Sequence, residues 1–180
     1  AVTTWMAKQK DPHQLREVVR TIVTSPHFTK NWGAKVKRPN ELAVSFFRAT
    51  GADLRVAPEF IRGMENLGWT PFNYPAPTGH PDVAPYWLST NGMLGRWNFL
   101  QLVFAKRQRL AAIDLAGAMP QLANAESAID HWSDRLLGMP LATPSKQAIL
   151  SALPGSAAPT GDSLNLMVAL IAMTPEFQRR

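Results

Sequence analysis

The prolines constrain the fold most, because proline breaks the interior of a helix but fits its first turn. Several of the 15 prolines directly follow residues that cap helices, as in Asp11-Pro12, Ser25-Pro26 and Thr143-Pro144. After the first of these starts, apolar side chains recur at the spacing of one helical face: Leu15, Val18, Val19, Ile22 and Val23. The pattern predicts a chain of short amphipathic helices that begin near prolines.

The same signals divide the rest of the chain into further helices. They place helices at about 39–51, 57–67, 82–87, 92–108, 124–137 and 143–153, and from Asp162 onward. Gly51 and Gly68 are typical of the position just beyond a helix end. No stretch alternates apolar and polar residues as a strand does. We therefore predict a single all-α domain over residues 1–180, an irregular helical bundle of about six to eight helices.

Two segments interrupt the helical pattern. Residues 69–81 contain four prolines and three large aromatic residues, which predicts a long Pro/aromatic-rich loop whose rings pack on the domain. Residues 154–161 consist only of Pro, Gly, Ser, Ala and Thr, which predicts a small-residue hinge between the last two helices.

One short pattern occurs twice, at 22–28 and at 171–177. Each copy has an apolar helix end, a hydroxyl residue, Pro, one further residue and Phe. The simpler interpretation is a device that ends one helix and starts the next turn, with Phe28 and Phe177 packed on the core. The alternative is a pair of related helical units.

Composition excludes several classes of site. The chain has no Cys, and therefore no disulfide, no thiolate nucleophile and no Cys-based zinc site. Its longest apolar stretch, residues 164–173, is about half the ~20 residues that cross a bilayer, and residues 1–10 lack the pattern of a signal peptide. The four His residues are not spaced as metal ligands, and no nucleophile elbow or phosphate loop occurs. We predict no catalytic residue, no metal site and no cofactor.

The net charge of +6 raises the question of a polyanionic partner. The basic stretch 30–38 surrounds Trp32, a combination that suits a nucleic-acid backbone and a stacked base. The remaining cations are spread along the chain, which favours a solvated loop or a contact with another part of the protein. Nucleic acid is therefore not the expected partner.

The segment 69–98 is the candidate site, since it holds three of the six Trp and both Tyr. The candidate ligand-binding residues are Trp69, Tyr74, His80, Asp82, Trp87 and Arg96. Aromatic rings on a rigid loop suit a sugar or another flat ligand, but the same rings could plug the core. Arg96 and Asn98 could bond the carbonyls of such a plug, and Arg96→Met would then destabilise the fold. His80 and Asp82 could share a metal, although a turn residue and a helix N-cap are the simpler roles.

Several motifs resemble, in order, the C-terminal part of the bacterial family called domain of unknown function 1800. They lie at 35–42, 46–51, 67–71, 75, 77–82, 87–89, 94–99 and 174–180. Trp69 departs from the pattern, which often has a polar residue there. The resemblance implies a longer, exported protein, either periplasmic or secreted, of which this chain is a C-terminal fragment. It also implies a sulfatase-like partner protein, and it supplies no activity, cofactor or catalytic residue.

Two functions follow as hypotheses. The first is a non-catalytic structural or interaction module that contacts the N-terminal part of the same protein. The alternative is a ligand-binding or hydrolytic module for a polymeric substrate, such as a carbohydrate, centred on residues 69–98.

Overall fold

The computed structural model describes residues 1–31, 33–54, 58–105 and 111–180. Trp32 and the predicted helix boundaries at Ala57 and Gln108 lie outside the described residues. The chain forms two compact units, one of residues 1–35 with Arg180 and one of residues 36–179.

The first unit contains three short helices: α1 (Val2–Ala7), α2 (Gln14–Val23) and α3 (Pro26–Lys30). The second unit contains the other described helices: α4 (Pro39–Thr50), α5 (Pro58–Asn66), α6 (Ala84–Trp87), α7 (Thr90–Ala105), α8 (Ala125–Leu137), α9 (Thr143–Ala152) and α10 (Gly161–Met173). Two strands, β1 (Asp53–Leu54) and β2 (Ala111–Ala112), pair antiparallel, with Asp53 opposite Ala112.

The prediction of a mostly helical fold is confirmed, but the described residues are not purely α-helical, because β1 and β2 form a small two-stranded sheet. The described residues form ten helices, more than the predicted six to eight, because one- and two-turn helices such as α1 and α3 carry almost no periodic signal. The strands were missed because two residues are too short to show alternation.

Cap chemistry explains some helix boundaries and corrects others. Ser25 caps α3 by accepting from the Phe28 amide at 3.3 Å, as predicted. Gly68 adopts a left-handed backbone with φ 75°, as expected beyond α5. Asp11 does not cap α2, which begins at Gln14, because its carboxylate accepts from the His13 amide at 2.8 Å in a preceding turn.

The core of the second unit lies where α4, α7, α8 and α10 pack together. Its most buried large side chains, all under 2 % exposed, are Trp132, Arg96, Phe46, Phe177, Leu42, Leu100, Ile129, Leu164, Met167, Ile171 and Gln178. Phe46 stands edge-on to Phe104 at 5.7 Å and to Phe177 at 6.4 Å between ring centroids. Such perpendicular pairs match the negative face of one ring with the positive edge of the other.

The two copies of the Pro-x-Phe pattern differ in whether their Phe is buried. Phe177 is fully buried, and its amide donates to the Thr174 hydroxyl at 3.4 Å, so the predicted packing role is confirmed there. Phe28 follows an equivalent Ser25 cap but is 53 % exposed. The local cap therefore forms from sequence alone, whereas burial of the ring depends on what surrounds it.

Candidate functional site

Aromatic side chains from the 69–81 loop and α6 gather around His80. We call Trp69, Tyr74, His80 and Trp87 the His80 cluster. His80 stacks on Trp69 with centroids 4.5 Å apart and planes 21° apart, and it lies 4.2 Å from Tyr74 and 6.0 Å from Trp87. The structure thus brings together four of the six predicted site residues.

The His80 cluster is neither a fully buried plug nor an open cleft. Trp87 is only 4 % exposed, and its indole N–H donates to the Pro81 carbonyl at 2.8 Å. Trp69, Tyr74 and His80 are half-buried. This arrangement ties the loop to α6 and leaves the outer parts of three rings in contact with solvent.

His80 itself is held mainly by ring stacking. Its Nε2 lies 3.4 Å from the Thr70 carbonyl, and its Nδ1 is buried without a hydrogen-bond partner among the described residues. Contacts with the neighbouring rings therefore hold this imidazole more than hydrogen bonds do.

Phe72 does not pack on the domain as predicted. Its side chain is fully exposed, and its backbone has φ 61° in the turn where the Asn73 amide bonds the Thr70 carbonyl at 3.2 Å. This left-handed conformation is uncommon for a bulky residue.

Asp82 is exposed and makes none of the ring contacts of the His80 cluster. The prediction that it caps a helix is wrong: α6 begins at Ala84, its N-cap is Val83 and no side chain caps it. Pro85, in the first turn, has no N–H for a carboxylate to bond. Within the described residues, no group of three or more His, Asp or Glu side chains could hold a metal ion.

The charge of Asp82 instead acts on Arg38. Glu41 raises the pKa of the Arg38 guanidinium first by a hydrogen bond and then by its charge, and Asp82 adds a smaller effect of the same sign. The Glu41 carboxylate accepts from Arg38 Nη2 at 2.9 Å and from the Arg38 amide at 2.8 Å, which closes a capping box at the start of α4. The Arg38 guanidinium also lies 5.8 Å from the Trp69 ring.

Beside the His80 cluster is a pocket of about 290 Å³, which lies within the second unit. It is lined by the end of α5, by α6 and by the first turns of α7: Asn66, Leu67, Gly68, Tyr86, Trp87, Ser89, Asn91, Gly92 and Arg96. Ser89 caps α7 by accepting from the Gly92 amide at 3.2 Å. A Cβ at Gly92 would lie 3.0 Å from the Trp87 carbonyl oxygen, so a larger residue would require α6 and α7 to move apart by a few tenths of an ångström.

Arg96 is 1 % exposed and bonds two separate segments. Its Nη2 donates to the Lys37 carbonyl at 2.6 Å, and its Nη1 donates to Gln178 Oε1 at 3.0 Å. Arg96 thus has a structural role, as predicted, but it bonds Lys37 and Gln178 rather than the carbonyls of the 69–81 loop. Asn98, predicted to help it, is exposed.

Burial is the main influence on the Arg96 charge. It lowers the pKa of the guanidinium to about 10, and the nearby charge of Glu41 partly opposes that effect. The side chain therefore remains a cation at neutral pH. Among the described residues, no carboxylate lies within salt-bridge distance of it.

Sequence reasoning missed several residues at this site. Asn66, Tyr86 and Asn91 line the pocket from three different helices, and nothing in their local pattern indicates it. Lys37 and Gln178 lie within two of the motifs that carry the family resemblance, 35–42 and 174–180. That resemblance was the one signal that pointed to them, and it did not say that both meet Arg96.

The arrangement of motifs agrees with the comparison with known families. A family described as "Protein of unknown function (DUF1800)" matches residues 1–179, and the chain therefore belongs to that family. Neither the curated proteins nor the solved structures that were compared contain a significant match. None of the helices in the described ranges is long and apolar enough to cross a membrane.

Proposed function

We propose that this chain is a non-catalytic interaction module and that the helical hairpin of α1 and α2 is its docking element. The observation that carries the proposal is that α1, α2 and α3 contain no buried residue. Large apolar side chains on these helices are 43–77 % exposed: Val2, Trp5, Met6, Leu15, Val19, Ile22, Val23 and Phe28. A surface of this kind marks a site of interaction.

Two polar contacts join the helices of the hairpin. The hydroxyl oxygens of Thr4 and Thr21 lie 3.3 Å apart, and Gln14 Nε2 donates to the Trp5 carbonyl at 2.9 Å. Leu15, Val19 and Ile22, spaced for one face of α2, remain 68 %, 57 % and 44 % exposed. Pairing of α1 with α2 thus leaves the apolar face available to another surface.

The charge of the first unit indicates the chemistry of the partner surface that it would bind. Residues 1–35 contain six cationic side chains, Lys8, Lys10, Arg16, Arg20, Lys30 and Lys35, against only Asp11 and Glu17. An apolar face on a unit with excess positive charge fits an acidic surface with an apolar groove. The partner that we propose is the preceding part of the longer, exported protein that the family resemblance implies. A sulfatase-like protein is the alternative protein partner that the same resemblance suggests.

The test is a calorimetric titration of this chain with the separately expressed preceding segment of the native protein. Replacing Leu15 and Val19 by Asn removes two half-exposed apolar groups, at about 1 kcal/mol each. We expect dissociation constants to rise by about 30-fold or more. The control, Arg16→Gln with Arg20→Gln, leaves the apolar face intact and should weaken binding less at 0.15 M salt.

Two results would overturn the proposal. One is binding that the Asn substitutions leave unchanged. The other is absence of protein binding together with binding to anionic lipid vesicles, since a basic amphipathic helix can also lie on a membrane surface.

A second candidate function is supported by the pocket beside the His80 cluster: a ligand-binding module, consistent with the polymeric or carbohydrate ligand inferred from residues 69–98. The pocket combines the aromatic Tyr86 and Trp87 with the amide side chains of Asn66 and Asn91. Binding is favoured over hydrolysis, because glycoside hydrolysis needs a pair of carboxylates and the described lining residues include none.

A further inference from the structure

We infer that the α1–α2 hairpin binds a single acidic amphipathic helix, which packs along Leu15, Val19 and Ile22 of α2. We call these three residues the α2 seam. The inference rests on the proposed function, that the hairpin is a docking element, and it names the shape and the charge of the surface that docks there. It does not depend on the pocket beside the His80 cluster.

The spacing of the α2 seam is the first reason. Its residues follow one another at intervals of four and three, which is the a/d spacing of a coiled coil. At about 100° per residue, the three side chains lie within an arc of about 60° around the helix. A helix that faces the core of a domain presents an apolar stripe of at least about 100°, whereas a strict a/d stripe is the narrower seam of two paired helices. Val23 widens the stripe only at the last residue of α2, so the α2 seam matches one facing helix.

The position of α1 is the second reason, because α1 contacts a different side of α2. Thr21 and Gln14 make the polar contacts with α1, and they lie about 100–120° around the helix from the middle of the α2 seam. Val18, between that side and the seam, is half-buried, whereas the seam residues are exposed. The hairpin therefore holds α2 by its polar side and leaves the α2 seam open along its length.

The flank of the α2 seam on the side away from α1 is basic. Arg16 directly follows Leu15, at the position of a coiled coil whose side chain borders the facing helix. Arg20 lies one turn further along, and both side chains are exposed. Arg16 forms no ion pair with any described residue. A carboxylate at the matching position of a partner helix would pair with it, as oppositely charged residues do beside paired helices.

Charge also decides against a second copy of the hairpin as the partner. Residues 1–35 carry six Lys and Arg side chains and two Asp and Glu side chains, an excess of four positive charges. Two such hairpins packed seam to seam would bring like charges together, which selects against that pairing. An acidic helix supplies the opposite charge, so it is the partner that this surface fits.

The test is photo-crosslinking in the longer native protein, with p-benzoylphenylalanine in place of Leu15 in one sample and of Ile22 in another. The probe is itself apolar, so it keeps the chemistry of the α2 seam. The two positions lie seven residues apart in sequence, about 10 Å along the helix axis. That distance spans about seven residues of a facing helix but only about three residues of a strand.

We expect peptide mass spectrometry to map the two crosslinks to positions about seven residues apart, in one segment of the preceding part of the protein. The control places the same probe at Thr24, which is exposed and lies about 180° around α2 from Leu15. It should give no crosslink to that segment.

The charge of the partner is tested with the probe at Ile22. Arg16→Glu should lower the crosslink yield at least about fivefold at 0.15 M salt, because it places a like charge against the acidic helix. Lys10→Glu is the matched control, since it makes the same change of charge at an exposed residue outside α2. It should lower the yield by less than about twofold.

The outcomes separate the inference from the proposed function. Crosslinks about three residues apart would overturn the helix and leave the hairpin as a docking element. Equal losses for Arg16→Glu and Lys10→Glu, or crosslinks between two copies of this chain, would overturn the acidic partner. Absence of any crosslink from either seam position to the preceding part would overturn the proposed function together with the inference.

Discussion

Phe177 and Phe28 form a natural comparison, because each follows Pro by two residues after a hydroxyl cap, yet only Phe177 is buried. Phe177→Ala would remove a fully buried ring that stands edge-on to Phe46 at 6.4 Å and lies under the Lys37 ammonium at 3.7 Å. Truncating a buried Phe to Ala costs about 3–5 kcal/mol, through lost transfer energy and the cavity that remains. We expect a loss at the upper end of that range, because the edge-on pair and the cation add to the burial.

The assay is equilibrium urea unfolding monitored by Trp fluorescence, with Phe28→Ala as the matched control. For a unit of this size, 4 kcal/mol corresponds to a fall in melting temperature of roughly 10–20 °C. Phe28→Ala should change the free energy of unfolding of the second unit by less than about 0.5 kcal/mol. Similar losses of unfolding free energy for the two variants, or a loss below 1 kcal/mol for Phe177→Ala, would refute the conclusion that the core of the second unit depends on Phe177 and not on Phe28.

Three further substitutions test separate parts of the fold. Arg96→Met should lower the free energy of unfolding by about 1–3 kcal/mol in urea titrations. It removes hydrogen bonds to two buried acceptors, and this loss outweighs the gain from no longer burying a charge. An unchanged free energy of unfolding and melting temperature would show that Arg96 does not link the two segments. Gly138→Ala should cost about 1 kcal/mol in thermal melts, because Gly138 has φ 69° and nothing lies within 4 Å of an added Cβ, so the backbone conformation alone is strained. Gly155→Ala is the control: its added Cβ is equally unhindered and its φ is not positive, so its thermal melt should not change. Lys146→Gln should lower the free energy of unfolding by no more than about 1 kcal/mol, because Lys146 lies 2.7 Å from Asp130 and 3.0 Å from Glu126, both more than half exposed. This loss should shrink in 1 M NaCl, which screens exposed charges. A larger loss that salt does not change would contradict this account.

Local chemistry determined which parts of the fold could be predicted. Helix periodicity, the Ser25 cap and the glycine beyond α5 depend on neighbours within four residues, and the structure has them. Asp11 failed as a cap because its carboxylate accepts from the His13 amide in a preceding turn, and Asp82 failed because α6 begins two residues later, at Ala84. The two-residue strands left no periodic signal at all.

The candidate site was predictable in part for the same reason. The aromatic residues of 69–98 come together because they are close in sequence and are joined by a proline-rich loop of limited freedom. The partners of Arg96 lie 59 and 82 residues away, at opposite ends of the second unit's sequence. Only the packed fold brings Lys37 and Gln178 to the same guanidinium, so local patterns could not identify them.

Hydrogen exchange of the α2 amides tests the central claim, that the hairpin is a docking element, most directly. The measurement compares this 180-residue chain with the native, cell-derived protein or its complex. The account predicts that amides of Leu15, Val19 and Ile22 exchange at least tenfold more slowly in the native form, because docking would cover the face that is exposed here. Equal exchange rates in the two samples, with the core amides of α8 equally protected in both, would contradict it.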